Sequence, residues 1–277
     1  MFTLNCKGRL VVGDVPLVMG IINVTPDSFY EGSRFNNKAA IMNQTEKMLA
    51  DGADIIDIGA QSTRPGSVLL PADEELSRLS DIVKLMSKNF PEAIISVDTF
   101  YSRVARECVD AGASIINDIS GGTMDEEMLE VAGKLNTPFV CMHMKGRPQT
   151  MQANSHYDNI TVEIVDYFIA RIQACSIAGI TDIIIDPGFG FSKSKEQNFE
   201  LLQKLSTLKI LDKPLLVGLS RKSTIYKPLG ITAAEALNGT TVMHTIALMN
   251  GADILRVHDV RQAKECVKLY NEYRHRL

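Results

Sequence analysis

Eight groups of polar side chains stand out in the chain because each follows directly on a short apolar run. They are Asn23, the QSTR stretch from Gln61 to Arg64, Asp98, Asn117 with Asp118, His143, Asp186, Ser220 to Lys222, and Arg256 with His258. Two chemistries can be read from them. Asp98, Asn117, Asp186 and Lys222 supply acceptors and donors of defined geometry, suited to a flat heterocycle carrying amino, ring N–H and carbonyl groups. Arg64, Arg256 and His258 suit a polyphosphate, and Asn23 offers an oxygen to an accompanying Mg2+. Together they describe a pocket for a heterocycle joined to a diphosphate. Singly, each has a plainer reading: Asp or Asn after a strand often caps the next helix, and His143, between two methionines, has the setting of a core residue. Capping alone does not supply one such group after every run.

The elements that must position these residues follow from a recurring pattern: a helix-like stretch, a glycine, then a short apolar run ending in polar residues. ADGADIIDIGAQS from Ala50, DAGASIINDISGG from Asp110, IAGITDIIIDPGF from Ile177 and MNGADILRVHDV from Met249 all have it. Gly52, Gly112, Gly179 and Gly251 stand where a helix ends in a left-handed residue. With PLVMGIINV, AIISVDTF, PFVCMHM and PLLVGLS there are eight runs, beginning near residues 16, 54, 94, 114, 138, 182, 214 and 253. Their nearly continuous apolar character fits parallel strands covered on both faces. Between them the helical period appears, with Ile160, Ile164, Phe168, Ile172 and Cys175 on one face and Val104, Ala105, Cys108 and Ala111 on another. Thr232 and Glu235 have the spacing of a capping box, and the PADEE stretch from Pro71 puts acid in a first helical turn. Eight such units predict an α/β fold, a single (β/α)8 TIM barrel, with FTLNCKGRLVVGD forming an N-terminal β-hairpin across its bottom. Residues 1–277 are read as one domain, and the polar groups then fall at the C-terminal ends of the strands, where barrel enzymes build their sites.

Composition narrows the classes. The formal net charge of -4 argues against a nucleic-acid partner, which calls for a basic face. Five cysteines, Cys6, Cys108, Cys141, Cys175 and Cys266, are widely spaced and read as reduced core thiols. No apolar run approaches the roughly 18 residues of a membrane span, and MFTLNCKGRLVVGDVP has no signal-peptide pattern, so no membrane partner and a cytoplasmic location are expected. Lys84, Lys88, Arg103, Arg171 and Lys209 read as solvated helix faces.

In seven ordered stretches the chain resembles the dihydropteroate synthase family. They are MGIINVTPDSF from Met19, STRPGS from Ser62, ISVDT from Ile95, INDISGG from Ile116, DPGFGF from Asp186, GLSRKS from Gly218 and RVHD from Arg256. The resemblance implies condensation of (7,8-dihydropterin-6-yl)methyl diphosphate with 4-aminobenzoate by an SN1-like path assisted by Mg2+, in folate biosynthesis. It implies that Asp98, Asn117, Asp186 and Lys222 hold the pterin, with Met142, Phe191 and Arg256 lining or stacking on it. Asn23 would ligate the metal, and Thr63, Arg64, Arg256 and His258 would bind the diphosphate. Phe29, Thr63, Pro65 and Ser220 would border the 4-aminobenzoate. The loops NVTPDSF, which holds Asp27, and QSTRPG would close over the reacting atoms, so that Asp27, Arg64, Lys222, Arg256 and His258 carry the catalysis. A homodimer is implied too, with an interface on the helices near Ala233 to Met249 and after Asp259. Gln61 departs from the family pattern, in which many members have an acid there, and this bears on loop positioning more than on chemistry.

A methyltransferase acting between methyltetrahydrofolate and a corrinoid protein would share the ring-binding Asp and Asn residues but has no need of Arg64, Arg256 and His258. A non-catalytic pterin-binding paralogue should have lost some loop or diphosphate residues, whereas those of the family pattern are present here.

Overall fold

The computed structural model describes residues 1–24, 34–61 and 68–274. The chain opens with an antiparallel hairpin, β1 (Phe2–Cys6) and β2 (Arg9–Gly13). Its two turn residues, Lys7 and Gly8, have φ of 55° and 86°, the left-handed pair that matches the twist of a tight hairpin.

Eight parallel strands follow: β3 (Leu17–Asn23), β4 (Ile55–Gly59), β5 (Ile94–Asp98), β6 (Ile115–Asp118), β7 (Phe139–Met142), β8 (Ile183–Asp186), β9 (Leu216–Val217) and β10 (Ile254–Val257). Their order is β8-β7-β6-β5-β4-β3-β10-β9, and a parallel bridge between Ile185 and Leu215 joins the two ends. The result is a (β/α)8 barrel, and each strand begins within two residues of its expected start. The helices among the described residues are α1 (Arg34–Ala50), α2 (Ala72–Asn89), α3 (Ser102–Asp110), α4 (Met128–Leu135), α5 (Ile160–Ile177), α6 (Lys195–Gln203), α7 (Ser223–Leu229), α8 (Leu237–Met249) and α9 (Val260–Arg274). The four expected glycine junctions all have positive φ. Thr232 and Glu235 do pair, the carboxylate accepting from the Thr232 N–H and hydroxyl, but they close a turn two residues short of α8.

Strand alternation divides the core in two. Leu17 and Met19, Ile55, Ile94, Ile115, Val140, Ile184, Leu216 and Ile254 point inward from the eight strands and pack with Leu4 and Cys6 of the hairpin, which plugs the barrel's bottom. Side chains of the opposite parity, including Ile56, Ile95, Ile116, Cys141, Ile185 and Leu255, pack against the helices. Each fully buried isoleucine contributes roughly 1.5–3 kcal/mol. Such a floor can support a layer of charged groups above it.

Candidate active site

Two residues above that floor, the next inward positions are Asp57, Ser96, Asn117, Met142, Asp186, Gly218 and Arg256, because strand side chains repeat every second residue. The polar layer is therefore set by strand parity. Asp57 is its hub. Fully buried in the middle of β4, its Oδ1 accepts from Ser96 Oγ at 2.6 Å, and its Oδ2 accepts from Asn117 Nδ2 at 3.1 Å and Arg256 Nε at 2.7 Å. Arg256 Nη2 reaches Asp57 Oδ2 and Asp98 Oδ2, both at 2.6 Å. Burial works against the Arg256 charge, but Asp57 and Asp98 outweigh it and raise its pKa further. Asp98 is pushed up by burial, with Arg256 opposing and Asp57 adding to the rise. Asp57 was not among the residues expected from sequence.

Because the strands are staggered, the register brings Asn117 level with the rim, aligning Asn23, Gly59, Asp98 and Asn117 as successive Cα partners. A Cβ on Gly59 would lie 2.9 Å from the Cβ of Asp98, so the glycine leaves Asp98 room to stand at the mouth.

On the facing wall, Asp186 Oδ1 accepts from the Gly188 N–H at 2.7 Å, and no described residue donates to Oδ2. Burial raises the Asp186 pKa, opposed first by the charge of Lys222. Lys222 Nζ donates to the Phe189 carbonyl and lies 4.8 Å from the centroid of the Phe191 ring. Burial lowers Lys222 to about 8, with Asp186 acting against the fall. Met142 forms an apolar patch with Phe100 and Ile119, against which Phe191 packs. An aromatic and aliphatic wall thus faces a set of directional donors and acceptors, the composition of a site for a flat polar ring.

The loop from Asp186 to Lys193 is tightly specified. Gly188 has φ of +71°, and a Cβ there would lie 2.0 Å from the His143 carbonyl oxygen. Gly188→Ala is expected to cost about 3 kcal/mol of stability in urea denaturation, from strain and overpacking together. A loss below about 1 kcal/mol would show that the loop can move aside.

Near β9 and β10, buried Ser220 accepts from the His258 N–H at 3.2 Å, and its Oγ lies 3.0 Å from His258 Nδ1. His258 itself faces solvent, and its pKa is lowered first by desolvation at the rim and then by the charge of Arg256. Its imidazole is therefore neutral at pH 7 before any anion binds. Asn23 is exposed at the end of β3. A single neutral oxygen of this kind suits Mg2+ carried largely by phosphate oxygens and water. Asp27, Phe29, Thr63, Arg64 and Pro65 lie outside the described residues.

Four of the polar residues singled out lie elsewhere than at the mouth or on a solvated face, His143 in the core setting that its plainer reading gave it. His143 and Asp118 follow the inward Met142 and Asn117, so alternation turns both away from the mouth. His143 is buried, with Lys193 on Nδ1 and Tyr167 edge-on to its ring, while Asp118 accepts from Ser120 and Gly122 and shapes their turn. Arg221, between Ser220 and Lys222, is engaged by both carboxylate oxygens of Asp259 and by the carbonyls of Ala233 and Ala234. Arg171 is not on a solvated face: it is half-buried, and its Nε and Nη2 have no hydrogen-bond partner among the described residues.

Gln61 bonds the Leu70 backbone twice, Nε2 to its carbonyl and Oε1 from its N–H, both at 3.0 Å, and also donates to Glu75. Glu75, expected as a first-turn acid of α2, is completely buried. Burial raises its pKa from 4.5 to about 7, against hydrogen bonds from Thr99 and Gln61 and the charge of Arg78. A carboxyl raised in this way adds stability that is complete below pH 4.5 and is lost as pH rises through 7. Glu75→Gln, whose amide oxygen can still accept from Gln61, should therefore stabilise the fold by about 2 kcal/mol at pH 8 and by less than about 1 kcal/mol at pH 5. Equal effects in urea denaturation at the two pH values would show that the buried charge is not their source.

Residues 19–258 match the family model described as pterin binding enzyme. The chain is 42% identical over 256 residues to dihydropteroate synthase of Escherichia coli strain K12, covering 92% of this chain and 90% of that one. The structure of Yersinia pestis dihydropteroate synthase with a sulfonamide drug superposes with a TM-score of 0.93 at 39% identity, covering 99% of this chain and 100% of the other. That of the Xanthomonas albilineans enzyme with 4-aminobenzoic acid gives 0.91 at 37% identity, covering 98% of each chain.

Proposed function

Because the chain belongs to the dihydropteroate synthases within the pterin-binding enzyme family, we propose that its polar layer and the rim above it divide that family's reaction between them. The chain is a transferase of folate biosynthesis: it joins the methylene carbon of (7,8-dihydropterin-6-yl)methyl diphosphate to the nitrogen of 4-aminobenzoate and releases diphosphate. The observation that carries the division is the single buried network of Asp57, Asp98, Asn117 and Arg256 opposite Asp186 and Lys222 at the barrel's mouth.

In this reading the ring's amino and N–H edge donates to Asp186, Lys222 and Asn117 donate to its acceptors, Asp98 takes a further ring N–H, and Met142 and Phe191 cover its faces. An electron-rich pterin delocalises the positive charge that develops on the methylene as the carbon–oxygen bond breaks, which gives an SN1-like path. Arg256, with Arg64, Thr63 and His258, receives the departing negative charge in preorganised form. Asn23 holds Mg2+, which neutralises part of the diphosphate charge when bound. The neutral aniline nitrogen of 4-aminobenzoate attacks without a strong base and loses its proton as the new bond forms. Ser220, Phe29, Thr63 and Pro65 border it, and Asp27 belongs to the loop beside it.

We read residues 1–277 as one domain. Five buried thiols, none of them in a disulfide, suit the cytoplasm, and no helix among the described residues is long and apolar enough to cross a membrane. The homodimer uses the outer faces of α8 and α9, where Val242, Ile246 and Met249 and then Leu269 and Tyr273 are exposed at helical spacing.

The test is diphosphate release from the pterin diphosphate, with and without 4-aminobenzoate and Mg2+, while dihydropteroate is followed. Metal-dependent release matched one for one by product is the expected result. Pterin binding without product would overturn the catalytic assignments.

A further inference from the structure

Lys193 is an almost completely buried lysine that the reaction does not call for. Its ammonium meets three acceptors: His143 Nδ1 at 3.0 Å, the Gly188 carbonyl at 3.0 Å and the Phe191 carbonyl at 3.1 Å. All three donors of the amine are therefore used, which is the condition for keeping a lysine charge out of water. The loop between Asp186 and Lys193 is wound to make this possible. Gly188, Gly190 and Ser192 all have positive φ, at 71°, 82° and 46°. That winding sends the carbonyls of Gly188 and Phe191 to Lys193 and the carbonyl of Phe189 to Lys222. Asn198 secures the same loop from α6, its Oδ1 accepting from the Gly190 N–H at 2.7 Å.

We propose that Lys193 is a positioning residue for the pterin half of the reaction, tying the loop that carries Asp186 and Phe191 to His143 at the end of β7. The tie fixes three things at once: the Gly188 N–H that orients the Asp186 carboxylate, the Phe189 carbonyl that holds Lys222, and the Phe191 ring that lies against the Lys222 ammonium. Burial and then the charges of Lys193 and Lys145 lower the His143 pKa to about 2, so the ring is neutral and its Nδ1 is the acceptor that faces the Lys193 ammonium. The charged groups around Lys193 itself are Asp186, which favours its charge, and Lys222 and Lys145, which oppose it. Burial is the largest influence and lowers Lys193 to about 7, with Asp186 acting against the fall.

The inference rests on the pterin reading of the pocket, so wild-type binding of 6-hydroxymethylpterin, measured by calorimetry, is the control. Lys193→Met keeps the chain length and removes the donors. In the folded variant the pterin Kd is expected to rise at least about tenfold, the loss of one or more charge-assisted hydrogen bonds' worth of order. The KM for 4-aminobenzoate at saturating pterin diphosphate is expected to stay within about threefold, since the described contacts of Lys193 are to His143, Gly188 and Phe191 and not to Ser220. A merely structural lysine would lower the melting temperature and leave the pterin Kd of the folded protein unchanged. That outcome overturns the inference while leaving the pterin reading intact. Absence of binding by the wild type would overturn both. If Lys193→Met does not fold, His143→Leu removes one of the three acceptors and is expected to weaken pterin binding about threefold, and His143→Gln, which restores an acceptor, to recover it. An unchanged Kd in folded His143→Leu would overturn the inference equally.

Discussion

Replacing Asp186 with alanine is expected to weaken binding of the pterin diphosphate by about 10²- to 10⁴-fold, measured as a Kd on the folded variant. Two hydrogen bonds from the ring's amino and N–H edge to a charged acceptor contribute roughly 1.5–3 kcal/mol each. The carboxylate is prepared for that edge. Oδ1 is already turned by the Gly188 N–H, and no described residue donates to Oδ2. A second consequence follows from Lys222, whose pKa burial has lowered to about 8 with Asp186 opposing the fall. Without that carboxylate the pKa drops further, and the ammonium that should face the ring loses its charge nearer neutral pH. The residual affinity of Asp186→Ala should therefore fall off at lower pH, as pH is raised, than that of the wild type. Asp186→Asn keeps the acceptor for Gly188 but presents a donor where the ring also donates, so it should lose nearly as much. Wild-type affinity in either variant would remove Asp186 from the ring's edge.

Much of this arrangement can be read from the chain because barrel geometry is periodic. Parallel strands buried on both faces make apolar runs, and the starts of four of them are marked by the glycine where the preceding helix stops. Asp186, Asn117 and Asp98 close such runs. Asp57 was missed because it lies inside one, in IIDIG, where attention to strand ends does not look. The available signal was energetic: an acid within a doubly covered strand must be paired, because an unpaired buried charge is too costly. Its main partner, Arg256, is 199 residues away, and no local pattern joins them. His143 and Asp118 are the converse case, and for His143 the plainer core reading holds. They end runs, but counting by twos from Val140 and Ile115 puts Met142 and Asn117 inside the barrel and turns their successors outward. Glu75 fitted the rule for acid in a first helical turn, yet that rule does not say which way the turn faces, and here it faces Gln61 and Thr99 in the interior.

Arg256→Ala should lower the rate of diphosphate release by at least about 10²-fold, by analogy with removal of one donor to a developing anion. The size of the effect comes from how the guanidinium is held. Nε and Nη2 are committed to Asp57 and Asp98, so the planar group is fixed before substrate arrives and keeps its remaining N–H groups for the leaving diphosphate. Catalysis of this kind depends on dipoles that need not reorganise as charge develops. Truncation to alanine also strips Asp57 of its cationic partner, leaving Ser96 and Asn117 as its donors, and breaking a buried pair in this way costs roughly 3–5 kcal/mol of stability. Turnover must therefore be measured where urea denaturation shows the variant folded. Arg256→Lys separates charge from geometry: an ammonium cannot serve Asp57 and Asp98 in the plane of one fork and also point toward a phosphate. It should rescue stability well and turnover poorly. If the lysine variant turned over at the wild-type rate, the charge alone would suffice and the Asp57 hub would be scaffolding. If the alanine variant did so, Arg256 would have no part in leaving-group departure, and the departing charge would have to be met elsewhere on the rim.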